Sequence, residues 1–396
     1  MRSVLACVLS LGLTTVACAQ GSPAPAPGMP SFQRPEPRVA PGLAIRVPPL
    51  APWLKGEPLG AFEHGKVYVF EFFTTTCSHC EENFDLICEI VRAFQPRGVE
   101  FISVTGEPED KVKAWLSKPG KERVCWSVAC DPGEAITRTW QNGTLRNFTP
   151  RFFVVKDGQV QWIGHPNLSE GPLQQIVDGT FDVAKAREEF MLDTAVAVAN
   201  TTVDGLMRSC QKSGDWQPVF DMLESVAEQI PERAGTFQAE RFMAMIGQAD
   251  RVDPGYQFGR SLLKAYAKDP RTLRALARGV LTGAAVRRRD LDFAMEAANA
   301  ADAAAEGKDP KALETLGLAW FAKGDRDKAV DCVERALKLE TERKFRKQYE
   351  RTLAKFRKDT PGPLPPFTPK PPGGGNPRPA TPPASGADPA ADHDHD

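Results

Sequence analysis

Residues Val67-Tyr-Val-Phe-Glu-Phe-Phe73 are apolar at every position but one. A short β-prone run of this kind predicts a strand buried on both faces, as in the middle of a parallel sheet. From Ser78 the period changes. Phe84, Ile87, Cys88, Val91 and Phe94 recur at the spacing of one helical face, and Pro96-Arg97-Gly98 ends that helix. Val99–Thr105 predicts a second strand, and helical segments are expected over Asp110–Leu116 and Gly133–Trp140. Phe152-Phe-Val-Val and Val160-Gln-Trp-Ile, joined through Asp157-Gly158, predict a hairpin. Gly171–Val177 predicts a closing helix. The order is β-α-β-α followed by β-β-α. It predicts an α/β domain over residues 43–182, a central sheet flanked by helices.

Beyond residue 183 the strand signals stop, and Ala, Leu, Lys, Glu and Arg dominate up to residue 359. The clearest unit is Pro310–Arg343. Leu313, Leu316, Gly317 and Trp320 stripe one helix, Gly324-Asp325 makes a turn, and Ala329, Val333 and Ala336 stripe the next. These positions resemble the tetratricopeptide pattern, in which small residues let two helices of a hairpin approach closely. Ala294, Ala298 and Ala301 fill similar slots in a weaker copy, with its first helix near Arg271–Ala285. Gly214-Asp215-Trp216 and Gly255-Tyr256 read as helix–helix turns. The expectation is an all-α domain of three to four hairpins, whose concave face would bind a protein partner. A plain helical bundle is the competing reading.

Composition changes the picture mainly at the ends. Met1–Ala19 has one Arg, an apolar run from Val4 to Val16, and Ala17-Cys18-Ala19. This reads as a secretory signal, too short to span a membrane. Thr15-Val16-Ala17-Cys18 also loosely resembles a bacterial lipobox, which would leave Cys18 lipidated. On either reading the protein is exported, to the periplasm or another extracytoplasmic site. Residues 20–42 are Pro/Ala-rich and read as a linker. Residues 360–396 form a Pro-rich tail that ends Asp-His-Asp-His-Asp and lacks the apolar content for a packed core. His393 and His395 there read as solvated. The formal net charge of −1, with the two signs interspersed, gives no basic block for nucleic acid.

Export places the cysteines where disulfides persist. Seven follow the signal: Cys77, Cys80, Cys88, Cys125, Cys130, Cys210 and Cys332. Their odd number and wide spacing do not describe a disulfide scaffold. Cys77 and Cys80 stand apart. They lie where the apolar strand gives way to a helix, and a helix N-terminus favours a thiolate. Zinc needs about four ligands, and no second Cys-x-x-Cys or spaced His pair accompanies them. An inert disulfide is the other plain alternative. His79, between the cysteines, either stabilises a Cys77 thiolate or is a solvated cap residue. Cys88 lies on the apolar stripe and reads as core. Cys125 and Cys130 would face opposite ways in a straight strand, although a loop could still join them. Cys210 and Cys332 read as small hydrophobes, and His165, at a strand end, as structural. No cofactor motif appears.

In this context the chain resembles the thioredoxin-like proteins of the TlpA-like extracytoplasmic group, over roughly Pro48–Asp182. The likeness rests on the strand, Cys-x-x-Cys and helix in order. It rests also on Thr149-Pro150 before a strand, on the Lys-Asp-Gly hairpin, and on Gln161-Trp-Ile-Gly-His-Pro166. The resemblance implies a thiol–disulfide oxidoreductase acting on protein thiols and disulfides, with no cofactor. Cys77 would attack, Cys80 would resolve, and the two would form the redox-active disulfide. Pro150 would be a cis-proline facing the pair, with Thr149 offering its backbone to substrate. Glu71 would be a buried carboxylate that takes the Cys80 proton; an edge strand would leave it merely solvated. Two departures stand out. Thr76 occupies the place where the family usually has Trp, and the stretch from Cys80 to Pro150 is longer than in a minimal thioredoxin, with the excess expected over Ser117–Ala135. The rival reading is a non-enzymatic interaction protein with a structural thioredoxin-like domain.

Overall fold

The computed structural model describes residues 31–363, apart from 132, 147 and 342. The signal, Cys18, the first part of the linker, His393 and His395 lie outside the described residues. Among those described, no helix is long and apolar enough to cross a membrane.

The sheet has six strands: β1 Trp53–Lys55, β2 Val67–Phe72, β3 Val99–Thr105, β4 Ser127–Cys130, β5 Arg151–Lys156 and β6 Gln159–Gly164. Their spatial order is β1-β4-β3-β2-β5-β6. β2, β3 and β4 run parallel, and β5 lies antiparallel to β2. β2 therefore occupies the centre, and each of its residues is buried, as its unbroken apolar run requires. Alternation sends Val67, Val69 and Phe73 into one core layer, and Tyr68, Phe70 and Phe72 into the other. β1 and β4 add two strands to the expected order. Both are short, and β1 begins just after a proline, so neither presents a long apolar run.

Helices cover the sheet: α1 Ser78–Glu82, α2 Phe84–Phe94, α3 Glu109–Leu116, a short α4 Ala135–Thr137 that continues as a wide π-turn to Asn142, and α5 Glu170–Asp178. The apolar stripe of α2 is buried as its spacing predicts, Cys88 included. Part of the expected linker is folded instead. Phe32, Val39 and Ala40, apolar residues within the Pro-rich stretch, are buried. The Phe32 amide donates to Ser225 Oγ, and Gly42 N–H to the Val160 carbonyl.

All later elements are helical: α6 Val183–Ser213, α7 Gln217–Gln229, α8 Ala234–Gly247, α9 Val252–Ala265, α10 Pro270–Thr282, α11 Leu291–Ala304, α12 Pro310–Ala322, α13 Arg326–Leu339 and α14 Arg343–Lys358. Composition shifts at residue 183, but the chain divides into two compact units between Ala244 and Met245. The reason is visible in α6. Its Phe190 is buried in the same core layer as Phe70 and Phe153, so the helix belongs to the unit that holds the sheet.

In the second unit α10 packs on α11 and α12 on α13. Gly317 sits where a Cβ would come within 3.0 Å of the Ala329 carbonyl oxygen and 3.1 Å of Val333. Ala294, Ala298, Ala301, Ala329 and Ala336 are fully buried. Gly214 does end a helix, with φ 78°. Gly255-Tyr256 is not a turn but the first turn of α9, where Pro254 is tolerated. A Cβ on Gly255 would meet Ile246 at 2.5 Å, so close helix contact accounts for this glycine.

Candidate active site

Cys77 is the N-cap of α1 and is partly exposed. Its Sγ accepts a hydrogen bond from the Cys80 amide at 3.1 Å. The hydroxyl of Thr149 donates to the same sulfur at 3.5 Å, and the Thr149 carbonyl lies 3.7 Å away. The Thr149–Pro150 peptide is cis. Strand β2 and the loop before β5 thus bring residues 72 positions apart onto one sulfur.

The loop is held from beneath by Arg151, which is fully buried. Its guanidinium donates to Thr144 Oγ1 at 2.7 Å and to the Arg146 carbonyl. Burial pulls its pKa down to about 9, with the Arg146 charge adding to the effect. A cavity of about 450 Å³ opens beside this loop, with Phe148, His165, Leu168 and Phe190 in its walls.

Cys80 is buried. Burial pushes its thiol pKa well up, and the hydrogen bond and charge of Cys77 push it further. Odd positions of β2 face this layer, so Glu71 lies on the same side of the sheet as Cys80. Glu71 is 7 % exposed, and both neighbouring strands pair with its own. The edge-strand alternative is therefore gone. Ser103, its register partner on β3, donates to Oε2 and in turn accepts from the Trp126 indole at 2.8 Å. Burial raises the Glu71 pKa to about 7, while the Ser103 bond and the Lys121 charge oppose that rise. Glu71, Cys80, Ser103, Phe84, Trp115 and Trp126 enclose a cavity of about 20 Å³, room for about one water.

His79 is not drawn to the sulfur. Its side chain is 74 % exposed, and Nδ1 lies 3.3 Å from Glu82. Thr76 is exposed. With Thr75, Lys118 and Pro119 it lines an open depression of about 260 Å³ beside Cys77. Cys125 is exposed and Cys130 buried, and both are free thiols, so no bond joins them. Among the described residues no group of three or more His, Cys, Asp or Glu is placed to hold a metal.

Two residues of this site escape a reading of sequence. Ser103 sits in an ordinary apolar strand, and only strand register puts it beside Glu71. Lys121 lies in a Pro/Gly-containing loop that resembles any solvated turn. The signal that finds Ser103 is its parity with Phe101, because both then share the face of Glu71.

Residues 58–163 match the sequence profile of the AhpC/TSA family. The first unit contains a thioredoxin-like domain. Protein FixW of Rhizobium leguminosarum is 28 % identical to the chain over 138 residues, which are 33 % of this chain and 62 % of FixW. The chain thus spans about three fifths of that relative's length. Among solved structures, a thioredoxin-like protein from Neisseria meningitidis shares 19 % identity at a TM-score of 0.28, over 36 % of this chain and 90 % of that one. A secreted disulfide oxidoreductase of Mycobacterium tuberculosis shares 18 % at a TM-score of 0.23, over 29 % of this chain and 83 % of that one. Within the thioredoxin-like domain, the site described above lies where β2 meets α1.

Proposed function

We propose that the protein is an exported thiol–disulfide oxidoreductase that exchanges disulfides with protein substrates through Cys77 and Cys80. The observation that carries this reading is the contrast between the two sulfurs. One is reachable, with hydrogen-bond donors on it. The other is buried, across a one-water cavity from a carboxylate whose pKa is about 7.

The Cys77 thiolate attacks one sulfur of a substrate disulfide. A Cys77–substrate S–S bond forms, the substrate S–S bond breaks, and the departing sulfur takes a proton. Cys80 must then lose its proton, because the thiolate is the nucleophile. The Glu71 carboxylate receives that proton, relayed by one water in the cavity. Cys80 attacks Cys77 Sγ, the Cys77–Cys80 bond forms, and the substrate leaves as a thiol. The substrate gains two electrons and the pair loses two; a dithiol donor resets the pair. Run backwards, the same steps oxidise a dithiol. Thr149 supports the encounter by offering its carbonyl and hydroxyl next to the reacting sulfur.

The helices of the second unit are read as a partner-binding, tetratricopeptide-like part. The tight approach at Gly317 and the buried alanines of α11 and α13 support that reading. The Ala17-Cys18-Ala19 segment supports export, with either cleavage or lipidation at Cys18.

Trapping tests the enzyme reading. In the full-length chain, Cys80→Ser should accumulate mixed disulfides with exported proteins, and Cys77→Ser should accumulate none. If neither variant traps anything, the domain is a structural scaffold and the helical part carries the function.

A further inference from the structure

The cavity beside the Thr149-Pro150 loop has one wall from outside the matched family profile. Glu189 and Phe190 of α6 form it, and the profile ends at residue 163. Its volume of about 450 Å³ falls in the range of ligand pockets. Arg146, Phe148 and Arg151 form the opposite wall, and Leu168 stands at the edge. Leu168 is 67 % exposed, the most exposed large apolar side chain among the described residues. Phe148 is joined to Thr149, whose hydroxyl donates to Cys77 Sγ at 3.5 Å. The cavity thus begins one residue from a group that touches the reacting sulfur.

The loop wall carries a charge that the described residues leave unanswered. Arg151 is 0 % exposed, yet its guanidinium donates only to Thr144 Oγ1 and the Arg146 carbonyl, and Nε has no partner. The Phe148 ring centre lies 4.6 Å from the Arg151 guanidinium carbon and 5.7 Å from that of Arg146. Among the described residues no carboxylate pairs with either guanidinium, and the charge that acts on Arg151 is the second cation, Arg146. A buried cation is costly until an anion partners it. The carboxylates of the far wall do not do so: Glu189 and Asp193 stand exposed on α6, and Asp182 caps that helix.

We propose that this cleft is a substrate subsite, which takes an acidic side chain lying within a few residues of the cysteine that Cys77 attacks. The inference rests on the redox reading of Cys77 and Cys80 and names the substrates that reading would favour: polypeptides with Glu or Asp close to a disulfide. Arg146 is half-buried, so its fork can donate to the incoming carboxylate. Arg151 adds its charge from behind, where little water screens it. Phe148, Leu168 and Phe190 cover the apolar part of the same segment. A neutral amide in that place gains only ordinary hydrogen bonds, and a lysine is repelled.

The test uses the full-length Cys80→Ser variant and a set of C-terminally amidated peptide disulfides. Each peptide carries one Glu within about four residues of its cysteine, a reach of about 13 Å in an extended chain. Matched peptides carry Gln or Lys instead. Glu and Gln peptides compete at equal concentration, and mass spectrometry counts the two mixed disulfides. The ratio is divided by that obtained with free N-acetylcysteine, which removes any difference in intrinsic reactivity. At one position or more the Glu adduct should exceed the Gln adduct by about fivefold to tenfold, with Lys below Gln. Arg146→Gln should bring the preference below about twofold. Glu189→Gln removes a competing anion and should keep or raise it, whereas mere loosening of the cleft would lower it in both variants. Equal trapping of Glu and Gln peptides at every position overturns the proposal and leaves the redox reading standing. So does a preference that survives Arg146→Gln, or one that falls equally in Glu189→Gln. If Arg146→Gln does not fold, Arg146→Lys, which keeps the charge and loses the fork, must still lower the preference. If no peptide is trapped at all, the redox reading has failed, and fluorescence anisotropy decides for the cleft. Labelled peptides with Ser for Cys must then bind the unsubstituted protein more tightly with Glu than with Gln, and lose that advantage in Arg146→Gln; otherwise the proposal falls.

Discussion

Glu71 should lower the stability of the fold it sits in, by an amount that depends on pH. Its carboxyl titrates near 4.5 when exposed and about 7 in the folded protein. The folded state therefore holds this proton more tightly than the unfolded state does. Below pH 4.5 both states are protonated and the group contributes nothing. Between pH 4.5 and 7 the unfolded chain releases its proton first, so stability falls as pH rises. Above pH 7 the loss levels off. A separation of about 2.5 units, at 1.36 kcal/mol each, sets the loss at about 3 kcal/mol. Glu71→Gln keeps the shape, and its amide oxygen can still accept from Ser103. Amide exchange at Val69 and Phe70 in β2, corrected for intrinsic rates, reads the opening free energy of this unit without relying on the helical one. At pH 5 the variant and the parent should differ little. By pH 8 the variant should be more stable by about 3 kcal/mol. The same substitution should slow release of the mixed disulfide by about 10²-fold or more, as loss of a general base does. A stability difference that is the same at pH 5 and pH 8 would refute the reasoning, because Glu71 would then not titrate with a raised pKa.

Three further outcomes are expected. His79 is exposed and faces Glu82 rather than the sulfur; His79→Ala should make the pair more reducing by only about 20 mV or less, read by glutathione equilibration. Gly317→Val drives a branched side chain against the Ala329 carbonyl and Val333, and should destabilise the second unit by about 1–3 kcal/mol in amide exchange of α12 and α13, leaving the Cys77–Cys80 potential unchanged. Brief alkylation of the reduced native protein should label Cys77 and Cys125 and spare Cys80, Cys88, Cys130, Cys210 and Cys332; early labelling of Cys88 would contradict its place in the α2 core.

Much of the first unit was legible because its strands and helices are patterned by one rule each. The apolar run at β2, the α2 stripe and the Asp-Gly turn each follow from a local period, and each stands within a residue or two of where that period puts it. The order of strand, Cys77 and helix followed directly. β1 and β4 were hidden because strands of three and four residues carry too few alternations to declare themselves. The unit boundary was hidden for a different reason. Composition reports what an element is, whereas burial of Phe190 against the sheet reports where it packs. At the site the legible parts were those tied to a motif: Cys77, Cys80 and Thr149-Pro150. Glu71 was legible as an anomaly in an apolar strand. Ser103 and Lys121 were not, since each acquires its role only through a long-range neighbour.

On the proposed redox reading, the environment also decides which cysteine would do which task. Cys77 and Cys80 are chemically identical in sequence, and one helical turn separates them. Burial makes the Cys80 thiol hard to ionise, with Cys77 as a further cause. Cys77 is the one that an incoming disulfide can reach. Attack must come first from the reachable sulfur, because exchange needs three sulfurs in line. Resolution then falls to Cys80, which can act only once its proton has somewhere to go. Glu71 is proposed to supply that place. A reversible second step lets one pair of cysteines run in either direction. Net direction is then set by the potential of the partner that resets the pair, where 30 mV corresponds to about 1.4 kcal/mol.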